Sequence, residues 1–145
     1  MRFSSGNALE RLVTRIGHYP EDRSENKGTE PEAVEFGLYQ GDHGHDQLLF
    51  VGSEHSSVIA VYELDRFGSR PRLLQVLPSG VGPEGLLAIP QRDLFVVASE
   101  TDAREDKIRS PITIYKKEHG RPTYPTIVSA NRADGLPIPW GRCRL

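Results

Sequence analysis

A short motif recurs along the chain at a spacing that few folds produce. Pro31-Glu32-Ala33-Val34 returns as Pro83-Glu84-Gly85-Leu86, 52 residues later, and a looser copy, Pro139-Trp140-Gly141, follows after another 56. Between the copies the same landmarks return in the same order. Leu49-Phe50-Val51-Gly52-Ser53-Glu54 corresponds to Phe95-Val96-Val97-Ala98-Ser99-Glu100. Val58-Ile59-Ala60-Val61-Tyr62 corresponds to Ile112-Thr113-Ile114-Tyr115, and Leu73-Leu74-Gln75-Val76-Leu77 to Thr126-Ile127-Val128-Ser129. Each unit reads as four short apolar runs bounded by Gly, Pro, Ser and Asp, the composition of strands separated by turns. Four strands every fifty or so residues is the blade period of a β-propeller. A β-sandwich also has short strands, but sandwiches rarely repeat sequence landmarks at one period.

The expected fold is therefore all-β: about two four-stranded antiparallel blades of an incomplete propeller. The expected boundaries are the end of a preceding blade over roughly 9–30, one blade over 31–82, a second over 83–138, and the start of a third over 139–145. In Val58 to Leu64 both alternating faces are largely apolar, which predicts a strand covered on both sides, as when blade stacks on blade. One segment gives two answers. Leu9, Leu12, Val13 and Ile16 have helical spacing, with Gly17 suited to a helix stop. The repeat register instead calls for an outer strand there, and the register favours the strand in the parent protein, with a helix plausible in an isolated fragment. The charged stretch Asp102 to Arg109 reads as a solvated loop.

Composition narrows the function classes. With 18 basic and 20 acidic residues the formal net charge is −2, which gives no electrostatic reason to expect nucleic acid as a partner. No apolar run approaches a membrane span. Met1 to Asn7 lacks the apolar core of a secretory signal, so none is expected in this chain. Cys143 stands alone and can form no intrachain disulfide.

Several residues are candidates for chemistry. The Pro-Glu motifs start the inner strand of each blade, placing Glu32 and Glu84 near the mouth of the central channel. Glu54 and Glu100, at equivalent strand ends, can join them in a ring of carboxylates for a hard cation such as Ca²⁺, which takes six to eight oxygen ligands. The same carboxylates can instead cap turns or pair with Arg and Lys. Arg23 and Lys27 lie in the polar loop before the first inner strand and can grip a phosphate group, or the loop can be purely structural. Asp42-His43-Gly44-His45-Asp46 has the residue types of a metal cluster, but its place between two apolar runs predicts a hairpin turn. His55 follows Glu54 and can stand near the carboxylates. Trp140 is expected to pack in a core. No nucleophile elbow or phosphate-cradling loop is present.

Three stretches resemble a known family: Asp22-Arg23-Ser24-Glu25-Asn26-Lys27-Gly28-Thr29-Glu30-Pro31-Glu32, Gly82-Pro83-Glu84-Gly85-Leu86, and Ala133-Asp134-Gly135-Leu136-Pro137-Ile138-Pro139-Trp140-Gly141. Together they resemble the phytase-like propellers described as having esterase-like activity of phytase, and the related choice-of-anchor secreted propellers, over about residues 9 to 141. The resemblance implies an exported parent, extracellular or periplasmic, with more blades than this chain holds. It also implies metal-dependent hydrolysis of a small phosphate or other ester, with the present chain an inactive fragment. The alternative is a non-catalytic propeller module that binds a ligand or protein at the cell surface. Arg142-Cys143-Arg144-Leu145 stands where the repeat calls for an apolar strand, which reads as a truncation or altered frame. Open blade faces lead to the further expectation that the chain self-associates.

Overall fold

The computed structural model describes residues 3–64, 70–102 and 109–118, and the backbone of 126–130. The third Pro motif, Trp140, the basic C-terminal residues and most of the charged stretch after Asp102 lie outside these.

The two repeats fold into two antiparallel four-stranded sheets. The first contains β1 (Pro31–Gly41), β2 (Gly44–Ser53), β3 (Val58–Leu64) and β4 (Arg72–Pro78); the second contains β5 (Pro83–Ile89), β6 (Leu94–Ser99), β7 (Ile112–Lys116) and β8 (Thr126–Ala130). In both, strand order in space follows order in sequence, the up-and-down connectivity of propeller blades. No barrel closes. Within the two repeats, each expected apolar run is a strand.

The repeat extends to the irregularities. Both blades carry a register shift at the start of the inner strand, between Pro31 and Ala33 and between Pro83 and Gly85. Both carry a second between the third and fourth strands, at Val61/Tyr62 and at Ile114/Tyr115. The rows across the sheets therefore correspond one to one. Glu35–Phe50–Val61–Gln75 in blade 1 matches Leu87–Val96–Ile114–Val128 in blade 2.

The main core lies between the blades. The forward face of blade 1 supplies Tyr39, Leu48, Phe50, Ile59, Val61 and Leu77, and the rear face of blade 2 supplies Phe95, Val97 and Tyr115 with Leu86 and Ala88. Phe50 stacks on Phe95 with ring centroids 3.9 Å apart. Polar groups are matched across the same seam. The Tyr39 hydroxyl donates to the Leu94 carbonyl at 2.9 Å, and the Ala88 amide donates to Glu35 at 3.0 Å. The nearly buried Lys117 ammonium meets the Gln40 carbonyl at 2.9 Å and the Asp46 carboxylate at 3.0 Å. A buried charge held by a carboxylate and a carbonyl avoids the penalty of an unpaired one.

β3 is covered on both sides, as its composition predicts: Val58, Ile59, Ala60 and Val61 are each at most 1% exposed. What covers the rear side is the helix that the spacing of Leu9, Leu12, Val13 and Ile16 allowed in an isolated fragment, not the strand that the register favoured for the parent. Residues 8–15 form no strand; Ala8–Arg15 is a helix, α1. Leu9 and Val13 of α1, with Leu12 and Ile16, pack on Val58, Ala60 and Val76. The helical spacing prevailed because it lets one short segment bury a stripe, whereas a strand there would need a preceding sheet to pair with. The Asp42 to Asp46 stretch is a hairpin with Asp42 and His43 at its tip, while His45 and Asp46 belong to β2. Asp46 takes a structural role beside Lys117.

Candidate functional site

The carboxylates named by the repeat do meet at one corner, and the backbone explains how. Pro occupies the first position of β1 and of β5, where a missing amide costs the ladder little. The next residue, Glu32 or Glu84, falls in the register shift: Pro31 pairs with Ser53 and Ala33 with Gly52, and Pro83 pairs with Ser99 and Gly85 with Ala98. Neither glutamate has a cross-strand partner, the arrangement of a bulge, which re-aims a side chain. Glu54 and Glu100 directly follow the ends of β2 and β6. Their amides close equivalent turns, Glu54 N–H to the Glu30 carbonyl at 3.0 Å and Glu100 N–H to the Gly82 carbonyl at 2.9 Å.

The neighbouring carboxylates act on one another. The Glu54 carboxyl is raised to about 6, first by its hydrogen bond with Glu32, then by burial and by the charges of Glu30 and Glu32. Glu84 is raised by the charge of Glu100, then by burial and the charge of Glu32. Carboxylates that share a hydrogen bond hold a proton between them, because like charges so near cannot both ionise cheaply. Influence of Glu32 on Glu84 links the two blades in one acidic cluster.

Cations border the cluster on the blade 1 side. Lys27 pairs with Glu30, which lowers the Glu30 carboxyl and raises the Lys27 ammonium. Arg23 Nη2 lies 3.0 Å from His55 Nε2, and the other ring nitrogen, Nδ1, lies 3.0 Å from the Gly28 carbonyl. A carbonyl only accepts, so Nδ1 carries a proton and donates to it. In the neutral ring Nε2 then accepts from Arg23, and Glu30 Oε2, 3.0 Å from it, gains no hydrogen bond there because neither atom carries a proton. Glu30, Glu54 and His55 each present a ligand atom, all within 4.8 Å of one another.

Sequence reasoning singled out Glu32, Glu84, Glu54, Glu100, Arg23 and Lys27, and placed His55 nearby. Arg23 and Lys27 are both engaged, with His55 and with Glu30. Glu30 was missed. Its signal was in the alignment of the repeats: Glu30 occupies the place of Gly82, and both have left-handed backbone, φ 44° and 68°. A glutamate is uncommon there and glycine is the ordinary choice.

With this geometry in view, comparison with known families adds one finding. Residues 2–67 match the family model of the choice-of-anchor I domain. The match supports the choice-of-anchor family. The choice-of-anchor stretch takes in α1, the loop bearing Arg23 and Lys27, Glu30, Glu32, and β1 to β3 with Glu54 and His55. It bears on the choice-of-anchor part of the resemblance and not on the phytase-like part. No curated protein and no solved structure matched the chain. Among the described residues no helix is long and apolar enough to cross a membrane.

Proposed function

We propose that the chain is part of a secreted or cell-surface β-propeller module that binds a divalent cation, Ca²⁺ in the first instance, at the corner where the blades' inner strands begin. The observation that carries this reading is the approach of Glu32 and Glu84, each lifted out of its ladder by a bulge, to Glu54 and Glu100. Such a group is under like-charge stress by itself, and a hard cation relieves it by replacing shared protons with oxygen coordination. The choice-of-anchor match supports a surface or exported setting. In this reading the cation fastens adjacent blades and holds a ligand or partner, without catalysis.

Calcium titration of the folded chain by calorimetry, with thermal melting in parallel, tests it. The expected result is a saturable isotherm and a raised melting temperature, both weakened in Glu32→Gln and Glu84→Gln. A folded chain that takes up no heat and melts unchanged with Ca²⁺ returns these carboxylates to structural roles.

A second reading has one specific observation in its favour. Arg23 and Lys27 stand at the same corner, with Lys27 within electrostatic reach of Glu32 and Glu54. A cation there, with these two groups, forms a set able to hold a phosphate ester, as in a phytase-like hydrolase. Calcium-dependent turnover of a chromogenic phosphate ester by the full-length parent, lost in Arg23→Ala, would replace the non-catalytic reading with this one.

A further inference from the structure

The row-by-row correspondence of the blades reaches beyond the cation corner. The seam inside the chain joins the forward face of blade 1 to the rear face of blade 2, and each face has a counterpart that the seam leaves outside. On the forward face of blade 2, Leu87, Val96 and Ile114 stand in one row, and Ala98 and Ile112 in the next. These are the positions of Glu35, Phe50 and Val61, and of Gly52 and Ile59, on the forward face of blade 1. There Phe50, Ile59 and Val61 are wholly buried, yet on blade 2 Leu87 is 53% and Ile112 48% exposed. Val96 and Ile114 belong to neither core cluster.

The rear face of blade 1 is the complementary half. Its rows, Val34–Val51–Ala60–Val76 and Phe36–Leu49–Tyr62–Leu73, are the counterparts of Leu86–Val97–Thr113–Ser129 and Ala88–Phe95–Tyr115–Thr126 on the rear face of blade 2. α1 covers the middle and outer part of this face, over Val58, Ala60 and Val76. Its inner part, on β1, is open: Val34, Phe36 and Leu38 are each at least 46% exposed, and Leu73 near the start of the outer strand β4 is 40% exposed. α1 itself is weakly anchored. It has eight residues, its Asn7 cap makes no side-chain hydrogen bond, and only Leu9 and Val13 are buried. A helix that short has little stability of its own.

We propose that the forward face of blade 2 docks on the rear face of blade 1 in a second copy of this chain, displacing α1 and repeating between molecules the seam that joins the blades within one. The evidence for this occupant is the register: the pairing of these two faces is already built once in the chain, from the same row positions. Such a head-to-tail interface uses a different surface on each copy, so it continues into a ring or a stack instead of ending at two. Three or four copies would supply blades in the range of roughly four to eight at which propellers close. This inference does not depend on the cation reading.

Sedimentation velocity of the full 145-residue chain over a wide concentration range tests it. The expected result is concentration-dependent assembly beyond a dimer. Ile112→Asp spoils the forward face and Phe36→Asp the rear face, and both residues are about half exposed, so folding, checked by circular dichroism, should survive. Leu87→Asp and Val34→Asp replace either variant that does not fold. Each variant alone is expected to be monomeric. Mixed, they retain one good face each and should form a heterodimer and nothing larger. Val13→Asp, which loosens α1, should shift assembly to lower concentration. A wild-type chain that stays monomeric throughout overturns the proposal. So does self-association of either face variant as strong as wild type, because that means a like-with-like contact, and so does a mixture that forms no heterodimer.

Discussion

Ile59 and Ile112 occupy the same row position on the forward faces of blades 1 and 2, with the same backbone register around them, and meet opposite environments. Ile59 is fully buried against blade 2, whereas Ile112 is 48% exposed. The same holds at the corners. Glu54 and Glu100 close equivalent turns, but the turn of blade 1 is lined by Glu30, His55, Arg23 and Lys27, and that of blade 2 by Gly82 and Thr101. Strand pairing is repeated because it follows local pattern. Burial and electrostatics are not, because they depend on what lies beside each blade.

The largest expected effect separates the two isoleucines. Ile59→Ala should destabilise the chain by about 2–5 kcal/mol, the usual range for a buried large-to-small change. Ile112→Ala should cost under about 1 kcal/mol, since little buried area is lost. Urea unfolding midpoints at low protein concentration, where copies do not meet, give both values. Equal losses would mean that Ile112 is buried and that the contrast between the blades is unsound.

A smaller effect probes the corner of blade 2. Gly82 is left-handed, and a Cβ there would lie 2.8 Å from Thr101 Oγ1. Gly82→Ala should therefore cost about 1–2 kcal/mol, from the left-handed penalty and the contact. Thermal melting of the variant measures this. An unchanged melting temperature would show that the turn relaxes, and that Glu30 at the equivalent place is under no backbone strain.

The smallest effect is a pH dependence of the acidic corner, probed at Glu54 of blade 1. The Glu54 carboxyl is raised to about 6 in the folded chain, above its ordinary value of 4.5. The folded state thus binds more protons than the unfolded between those values. The stabilisation is fully present below about 4.5 and is lost as pH rises through about 6. Stability measured from pH 4.5 to 7 should fall for this reason, with a shallower slope in Glu54→Gln. Cation affinity should move the other way, rising with pH as Glu54 becomes free to coordinate. A slope unchanged in Glu54→Gln would place the titration elsewhere.

Much of the fold was legible in the sequence. The Pro-Glu motifs marked the starts of β1 and β5, and the intervening apolar runs gave the other strands, because alternation and turn residues act over a few positions. The acidic corner was legible through the same repeat, down to Glu32, Glu54, Glu84 and Glu100. Residues 8–15 were ambiguous because helical spacing and repeat register disagreed, and only a partner surface could decide between them. Asp46 was placed in a hairpin turn by the sequence, but its ion pair with Lys117, far along the chain, was not legible there.

The sequence by itself determined the strand pattern, the repeat and the positions of the four bulge and strand-end glutamates, all consequences of local backbone preference. The tertiary structure alone decided that α1 would cover blade 1, that Lys117 would be buried against Asp46, and that Glu30 would join the corner. Those outcomes depend on which surfaces come together in space, since burial and charge interaction act between residues that the chain keeps far apart.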